Sequence, residues 1–448
     1  MGAQRSFVYR LEAIGYDATD RCLRSLRRFP DRDEAPRLLK KGNAVVSARD
    51  VITDTSGSHL PVESRDLFSL IARNGAVSRS ELEQLSGSSR TTVVQRLATL
   101  FNANLVRETE KVLPTGGRPS KLLSVNEEFA LIAAVDIGES RTRVALTDLT
   151  PKIVVEEAFP TDLDDEPTSI LEQIGACIER LLPQIGRPIE DVIGVGICLP
   201  SRIDYQTARV FGSSVMHGWY ELDIRGWFWD RYQIKVFADN DVNLMALAEY
   251  KTYWPDEDYF FFIKAGTGIG GGFISGGEVY RGGRGAAADI GHIQLDLPNP
   301  PLCRCGKLGC LEAYSGGWAI ARDLRAIGIE ARNARDVIGI VKRNVPEAIQ
   351  LIRAAGKGFG EVTANVVSVL NPNLIVVGGT LAEAGEHLMA GIRELVNQRC
   401  LPLATQTLQI VRAKSGDRAG ILGAAHLVFE EQLVGGGSHS RDKVHVAR

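Results

Sequence analysis

The chain has 448 residues, of which 44% are hydrophobic and 24% are charged, and its formal net charge at pH 7 is -3. This length exceeds what one hydrophobic core usually supports, and this composition is that of a folded protein, so we expect two or three domains and exclude extensive disorder. The absence of an apolar run of about 18 residues and of a signal-peptide pattern predicts a protein without a membrane partner. The seven cysteines are an odd number and mostly scattered, which favours a reduced, cytoplasmic compartment.

Basic side chains are concentrated toward the N-terminus. Residues 61–125 carry nine Lys and Arg against six Asp and Glu, whereas residues 126–448 carry 32 against 41. A basic N-terminal segment is compatible with nucleic acid, although an ordinary solvated surface explains so small an excess equally well. Residues 1–60 contain no convincing periodic element beyond a short helix near residues 20–28, and we treat them as an N-terminal extension of unknown role.

Residues 61–126 follow the pattern of a winged helix-turn-helix. A first helix ends at Asn74-Gly75, and a capping box of Ser78 and Glu81 begins a short second helix that carries Leu82 and Leu85. Residues 89–100 predict a third helix, whose apolar face would consist of Val93, Val94, Leu97 and Leu100. Two strands at 105–108 and 122–125 would flank a tip at 114–119, which is the form of a wing.

In a winged helix-turn-helix the last helix enters the major groove of double-stranded DNA. Five candidate DNA contacts lie on that helix and one lies at the wing tip: Arg90, Thr91, Thr92, Gln95, Arg96 and Arg118. The basic excess over residues 89–125, six against two, favours this interpretation. The alternative is that the three helices form only a small bundle or an oligomerisation module.

Residues 127–432 alternate strands and helices in an α/β pattern. A strand, glycine turn and strand over 131–148 recurs over 259–275, which predicts two related halves that form two lobes with a cleft between them. The predicted strands are 131–136, 142–148, 152–157, 192–198, 259–264, 272–275 and 374–377, and the predicted helices are 168–182, 241–250, 356–370, 384–397 and 419–431. A further strand begins at Lys235 and leads into the helix 241–250 as a βα unit. Residues 433–448 are expected to be a flexible tail.

Three cysteines and a histidine form the most specific motif in the chain. Cys303, Cys305 and Cys310 follow closely after Gly291-His292. Three thiolates and one imidazole make a closed set of four ligands, and Gly306 and Gly309 permit the sharp turns that bring three sulfurs to one centre. The motif therefore predicts a structural zinc site without an open position for catalysis. The alternative is three buried thiols without a metal.

The stretch from Gly285 to Tyr314, GAAADIGHIQLDLPNPPLCRCGKLGCLEAY, closely resembles the signature of the ROK family of bacterial sugar-responsive repressors and sugar kinases. The resemblance covers about residues 62–430 and implies a two-lobed, actin-like domain of the ribonuclease H-like, hexokinase-type fold. It also implies that zinc is bound by His292 and the three cysteines. The positions that match family sugar contacts are Asn240, Asp241, Asp289, His292 and Glu312. Asp289 stands where the family usually has Glu, and Val215 stands where its kinases commonly carry Asn.

The same resemblance raises the possibility of catalysis. Asp241 matches the general base of the family's kinases, which would require ATP and magnesium. The residues that match its two phosphate loops are Asp136 and Gly138 in the first loop and Gly266, Thr267, Gly268 and Gly270 in the second. The first loop reads Asp136-Ile137-Gly138-Glu139-Ser140-Arg141, where the kinases have a second glycine in place of Glu139. A carboxylate there would repel a nucleotide phosphate, so we expect inefficient use of ATP.

The leading hypothesis is a DNA-binding regulator of carbohydrate genes, in the family most commonly a repressor. A sugar or sugar phosphate would be its effector, operator DNA its target, and a homodimer or homotetramer its working state, because a two-fold pair of winged helices matches a palindromic operator. The rival hypothesis is an ATP-dependent sugar kinase. A third is a sugar sensor that does not bind DNA.

Overall fold

The computed structural model describes residues 40–41, 44–45, 48–49, 60–113, 120–211, 216 and 218–435. The chain divides into two compact units, residues 1–46 and residues 47–448. In the first unit, strands β1 (Lys40–Lys41) and β2 (Ala44–Val45) pair in an antiparallel manner.

The second unit begins with three helices and an antiparallel pair of strands, here called the N-terminal helical unit. They are α1 (Val62–Asn74), α2 (Arg79–Ser86), α3 (Arg90–Asn102), β3 (Val106–Leu113) and β4 (Ser120–Val125). The predicted capping box is present at α2, where Ser78 accepts a hydrogen bond from the Glu81 amide and the Glu81 carboxylate accepts one from the Ser78 amide. The tip at 114–119, with Arg118, lies outside the described residues.

One apolar side chain of this unit does not lie where the sequence pattern placed it. Val94 was expected on the buried face of α3 and is 51% exposed, while Val93, Leu97 and Leu100 are buried. On α2 Leu82 is buried, but Leu85 is 51% exposed. The reason is helical geometry: positions 93, 97 and 100 already form one stripe at 3.6 residues per turn, and Val94 lies about 100° away from it.

The remaining elements belong to the α/β domain. Its strands are β5 (Leu131–Ile137), β6 (Arg141–Thr147), β7 (Ile153–Pro160), β8 (Val192–Leu199), β9 (Arg202–Asp204), β10 (Arg209–Phe211), β11 (Val236–Asn240), β12 (Tyr259–Ala265), β13 (Ile269–Ser275), β14 (Glu278–Val279), β15 (Leu374–Gly378) and β16 (Gln409–Arg412). Its α-helices are α4 (Pro167–Leu181), α5 (Ile224–Tyr232), α6 (Asp241–Tyr253), α7 (Leu311–Ser315), α8 (Gly317–Ala326), α9 (Ala334–Lys342), α10 (Pro346–Leu370), α11 (Glu386–Arg399), α12 (Pro402–Thr405) and α13 (Ala419–Phe429).

Two five-stranded sheets confirm the predicted pair of related halves. The first has the order β11-β8-β5-β6-β7 and the second has the order β14-β13-β12-β15-β16. Each contains an antiparallel meander of three consecutive strands, to which two later strands are added in parallel. We call the halves built on these sheets lobe 1 and lobe 2.

Both faces of each sheet are buried, which explains why the strands are almost continuously apolar. In β5, Leu131, Ala133 and Val135 pack toward α4 and α5, whereas Ile132 and Ala134 pack toward α6 and α13. In lobe 2 the alternation recurs along β12, whose side chains face α6 and α13 on one side and the helices α8 to α11 on the other. Helices α6 and α13 therefore form a central layer between the two sheets.

Helix α13 also contacts the N-terminal helical unit. The rings of Phe429, at the end of α13, and Phe68, on α1, lie 5.9 Å apart between centroids. Leu67, Phe68 and Ile71 are buried in the same apolar cluster as α13 and as Leu433 in the π-helical turn that follows it. The first helix of the N-terminal unit thus shares a core with the last helix of the α/β domain.

Part of the N-terminal extension is docked on lobe 1. Ala48 is buried, and the Arg49 guanidinium donates hydrogen bonds to the carbonyl oxygens of Ile189, Val192 and Tyr232 at 2.7, 3.1 and 2.9 Å. Among the residues that the structure describes, every helix is too short or too polar to cross a membrane.

The α6–α13 contact generates a prediction. A Cβ added at Gly423 of α13 would lie only 2.0 Å from the Leu244 carbonyl oxygen of α6, so Gly423→Ala should force the helices apart and lower the melting temperature by several degrees. Gly339 of α9 is a matched control, because its nearest neighbour would be the end of the Arg343 side chain at 3.8 Å. Gly339→Ala should be neutral or stabilising, since alanine favours a helix. Equal melting temperatures for the two variants by circular dichroism would contradict this account of the packing.

Candidate functional site

Two neighbouring cavities lie between the lobes. The larger has a volume of about 550 Å³ and is bordered by the start of α6, the β12–β13 hairpin and the loop that carries the cysteines. The smaller has a volume of about 410 Å³ and is bordered by the β5–β6 loop, the same hairpin and the start of α13. Glu139, Asp241 and Lys264 line both cavities and mark the boundary between them.

The cysteine and histidine side chains converge on one point beside the larger cavity. The ligand atoms of His292, Cys303, Cys305 and Cys310 all lie within 4.8 Å of one another. The sulfurs of Cys305 and Cys310 are 3.6 Å apart, and Cys303 Sγ is 3.7 Å from His292 Nδ1. Zinc–sulfur bonds of about 2.3 Å in a tetrahedron place two sulfurs about 3.8 Å apart, so this group could hold a metal ion.

Two tight turns produce that convergence. The Cys303 amide donates to the Lys307 carbonyl at 2.8 Å, and the Gly306 amide donates to the Cys303 carbonyl at 2.9 Å. Gly306 and Gly309 have φ angles of 84° and 77°, in the left-handed region that glycine adopts without strain. The glycines expected to allow sharp turns are thus the positions where the backbone requires them.

The five residues predicted to contact a sugar are brought together. Asn240, Asp241, Asp289, His292 and Glu312 all line the larger cavity, although 72 residues separate the first from the last. Asn240 and Asp241 come from the junction of β11 and α6, whereas the other three come from lobe 2. A molecule bound among them would contact both lobes at once.

Hydrogen bonds with backbone and indole groups fix the side chains of Asn240 and Glu312. The Asn240 amide group donates to the Ser201 carbonyl at 2.9 Å, and its oxygen accepts from the Val242 amide at 3.0 Å, so it also holds the β8–β9 segment against α6. Glu312 accepts a hydrogen bond from the Ile269 amide at 2.9 Å and one from the Trp318 indole at 3.3 Å. These contacts orient the wall of the cavity before any ligand binds.

The residues predicted to form phosphate loops divide between the cavities. Asp136, Gly138, Gly266, Thr267 and Gly268 line the smaller cavity, whereas Gly270 lines only the larger one. The second loop is the tight connection between β12 and β13, closed by a hydrogen bond from the Gly266 amide to the Gly268 carbonyl at 3.1 Å. A Cβ at Gly268 would lie 2.8 Å from a Glu312 carboxylate oxygen, so a larger residue there would have to displace the Glu312 side chain from the cavity wall.

Asp136, the first residue of the other phosphate loop, is half-buried and lies close to Asp241 and Cys198. Burial raises the pKa of Asp136, an effect that the nearby Asp241 carboxylate reinforces and a hydrogen bond with Cys198 opposes. A Cβ at Gly420 would lie 2.8 Å from either carboxylate oxygen of Asp136, so α13 begins directly against this carboxylate. The start of α13 is therefore packed against the floor of the smaller cavity.

Lysine 264 was not predicted to be part of the site. It lies on β12 and forms an ion pair with Asp241. Burial alone would favour a neutral amine, but the Asp241 carboxylate overcomes this and raises the pKa of Lys264. The group that matches a general base is thus held by an ammonium group of the chain itself.

Two further ion pairs join the lobes across the larger cavity. Arg304, which lies between two of the cysteines, is 3.6 Å from Glu139 of the β5–β6 loop and stacks on the Trp318 ring at 4.9 Å. Arg202 of β9 donates two hydrogen bonds to Asp289 at 3.0 and 2.5 Å. Sequence reasoning missed both arginines, since nothing local in the sequence indicates that they face the cavity.

The predicted DNA contacts on α3 form a solvent-facing surface. Arg90, Thr91 and Gln95 are exposed, whereas Thr92 and Arg96 are half-buried. Arg96 donates to the Ser88 hydroxyl at 3.2 Å, and the Thr92 hydroxyl is 2.9 Å from that of Ser89. Arg118, like Val215, lies outside the described residues.

The chain is similar to a protein family, to curated regulators and to solved structures. The ROK family model matches residues 132–431. Two curated relatives at 25 and 26% identity are the xylose repressor of Bacillus subtilis strain 168, over 83% of this chain and 96% of its own, and the dual regulator NagC of Escherichia coli K12, over 84 and 94%. Among solved structures, a ROK family transcriptional regulator described as a homolog of the E. coli MLC protein matches with a TM-score of 0.72 and 25% identity, over 84% of this chain and 96% of its own.

The ROK kinases match a smaller part of the chain. The ROK glucokinase of Streptomyces griseus, solved with glucose and AMPPNP, matches with a TM-score of 0.58 and 27% identity, over 66% of this chain and 99% of its own. The similarity to the regulators therefore extends over the N-terminal helical unit, whereas the similarity to the glucokinase covers only about the length of the α/β domain. Since the family model covers two thirds of the sequence, this chain belongs to the ROK family.

Proposed function

We propose that this chain is a transcription repressor whose N-terminal helical unit, residues 61–126, binds double-stranded operator DNA and whose α/β domain, residues 127–432, binds a sugar or sugar phosphate. The observation that carries the proposal is the exposed polar surface of α3, on a unit that packs against the last helix of a sugar-kinase-like domain. The similarity to the B. subtilis xylose repressor and the E. coli dual regulator NagC over more than four fifths of the chain supports it.

Within this proposal the wing and α3 share the DNA contacts. Arg90, Thr91, Thr92, Gln95, Arg96 and the wing residue Arg118 would reach bases or phosphates. The exposed side chain of Val94 supports this role, since an apolar group on a recognition surface can contact the methyl group of thymine. A two-fold dimer, or a tetramer built from such dimers, would place two α3 helices on a palindromic site.

The larger cavity is the proposed effector site. Carboxylates, an amide and an imidazole can pair with hydroxyl groups that both donate and accept hydrogen bonds, and a volume of about 550 Å³ is ample for a monosaccharide. His292 would serve the metal through Nδ1 and face the sugar with the rest of its ring. The metal proposed for the four-ligand cluster is zinc, with a structural role, because the ligand set leaves no open position.

Helix α13 offers a physical route from the effector to the DNA. Its first residues, Ala419 and Gly420, line the smaller cavity, and its last, Phe429, contacts α1. A sugar that binds the closed and open lobes with different affinity would move this helix and with it the N-terminal helical unit.

The kinase alternative is supported by the β12–β13 hairpin and by Asp241, but the rest of the cleft does not fit a nucleotide with magnesium. Glu139 places a carboxylate in the first loop, and Lys264 pairs with the proposed base. The Lys264 ammonium group already occupies the Oδ2 atom of Asp241, so that oxygen is not free to take the proton of a sugar hydroxyl. Asp241 is therefore proposed to bind the sugar rather than to activate it.

The DNA-binding surface can be tested by removing its charges. Arg90→Ala combined with Arg96→Ala should weaken binding to the DNA upstream of the gene by about 10- to 1,000-fold and reduce the salt dependence, since each lost phosphate contact lowers the slope by about 0.9. Arg209→Ala combined with Arg343→Ala, two exposed positions of the α/β domain, is the charge-matched control. Equal affinities for the two double variants in fluorescence anisotropy would count against α3.

The metal cluster can be tested by elemental analysis. The purified protein should contain one zinc per chain, and Cys305→Ser should lose most of it and unfold at a lower temperature, because three ligands hold zinc much less tightly than four. Cys400→Ser, outside the cluster, should retain the metal. Well under one zinc in the unaltered protein would remove this part of the proposal.

The kinase alternative can be tested by turnover. With Mg-ATP and a panel of sugars, the protein should show none of the turnover of about 1 to 100 per second that kinases reach. Glu139→Gly should strengthen ATP binding measured by calorimetry, because it removes a negative charge from the phosphate loop. Glu190→Gly, on the surface of lobe 1, is the charge-matched control. Turnover within the kinase range by the unaltered protein would instead establish an enzyme.

A further inference from the structure

The basic side chains of the larger cavity differ in their exposure to solvent. Three basic side chains there each pair with an acidic group: Lys264 with Asp241, Arg304 with Glu139, and Arg202 with Asp289. Arg202 differs from the other two because it is the most exposed, at 46% of its side chain against 24% for Lys264 and 35% for Arg304. It can therefore meet an incoming ligand without first leaving a buried position.

The backbone of Arg202 is held in place from two sides. Strand β9 pairs with β10, and the Ser201 carbonyl accepts a hydrogen bond from the Asn240 side chain. From lobe 2, Gly285 approaches so closely that a Cβ on it would lie 2.5 Å from the Ile203 carbonyl oxygen. This contact brings the loop that carries Asp289 to the edge of β9.

The ion pair of Arg202 and Asp289 uses only some of the hydrogen-bonding atoms of these two side chains. Arg202 donates through Nε and Nη2 to one oxygen of Asp289, Oδ2. Within the described part of the chain, Arg202 Nη1 and Asp289 Oδ1 have no hydrogen-bond partner. Arg202 Nη1 can donate a hydrogen bond and Asp289 Oδ1 can accept one. The ion pair holds the two side chains next to each other.

We propose that Arg202 is a specificity-determining sugar contact, which together with Asp289 recognises two adjacent hydroxyl groups of the effector. One hydroxyl would donate to Asp289 Oδ1 and its neighbour would accept from Arg202 Nη1. The effector is thus a sugar with at least one free pair of neighbouring hydroxyls on the edge that faces β9. This inference rests on the proposed sugar-binding function of the cavity.

The pairing with Arg202 also compensates for the short side chain of Asp289. Asp289 reaches one methylene less far than a glutamate, and the long Arg202 side chain from the opposite lobe extends to meet it. An exposed ion pair contributes little to stability by itself, so a ligand can engage this pair at little cost to the fold.

The test is calorimetry with sugars that lack one hydroxyl. The first step finds the tightest ligand of the unaltered protein among D-glucose, D-xylose, N-acetyl-D-glucosamine and their 6- or 5-phosphates. The second step measures its monodeoxy analogues with the unaltered protein, with Arg202→Leu, and with Arg209→Leu, an exposed arginine of the same β9–β10 hairpin as control. Arg202→Gln serves in place of the leucine variant if that protein does not fold.

The expected result is a loss of binding affinity that depends on which hydroxyl group the sugar lacks. Removing one particular hydroxyl should weaken binding to the unaltered protein and to Arg209→Leu by about 10- to 100-fold, and to Arg202→Leu by less than about 3-fold, because the charged partner is already missing. An equal penalty in all three proteins at every position, or a uniform loss of affinity in Arg202→Leu, would overturn the assignment of Arg202. Failure of the unaltered protein to bind any of these sugars would instead contradict the proposed function on which the inference rests.

Discussion

The close packing of α13 against α6 is the constraint on which the rest of the structure depends. Both helices are covered by the two sheets, and Gly423 allows the backbones to touch at Leu244. Because α6 begins at Asp241, its position sets the floor of both cavities. Because α13 runs from the smaller cavity to Phe68, its position also sets that of the N-terminal helical unit. A change in the angle between the lobes therefore cannot leave α1 unaffected, since packed cores do not deform freely.

The cleft combines a fold shared with kinases and a charge distribution suited to binding. Its carboxylates are held by Lys264, Arg202 and Arg304, which belong to the chain and need no ion from solution. Two of these pairs join opposite lobes, although an exposed ion pair contributes little stability by itself. A sugar that bonds to Asp289 Oδ1 and Arg202 Nη1 would add contacts to both lobes without breaking the pair that already joins them. The balance between open and closed states would then respond to the sugar, as an effector requires.

Local chemistry was predictable from the sequence, and tertiary contacts were not. The capping box at Ser78 and the turns at Gly306 and Gly309 depend on neighbours within a few residues, so the pattern is sufficient. Whether Val93 or Val94 is buried depends on how α3 packs against the rest of the N-terminal helical unit. Lys264 carries a signal that could have been used, because a lysine inside a buried strand is rare unless it is paired. The partner, however, is 23 residues away on another element.

The bounds of the helices were also predicted only in part. Helix α10 extends from Pro346 to Leu370, ten residues before the predicted start, and the proline at its first position was an unused signal. Helices α7 to α9, over residues 311–342, were not predicted, because helices of only 5, 10 and 9 residues carry a short periodic signal. Arg202 could not be recognised at all, because its role arises from the approach of Gly285 to β9.

The coupling of sugar to DNA is the central claim, and one titration tests it most directly. The affinity of the full chain for a labelled fragment of its upstream DNA would be measured by fluorescence anisotropy at rising concentrations of the tightest sugar ligand. The account predicts that saturating sugar weakens DNA binding by about 5- to 150-fold and that DNA weakens sugar binding by the same factor, because coupling is reciprocal. Identical DNA affinity with and without saturating sugar would contradict it.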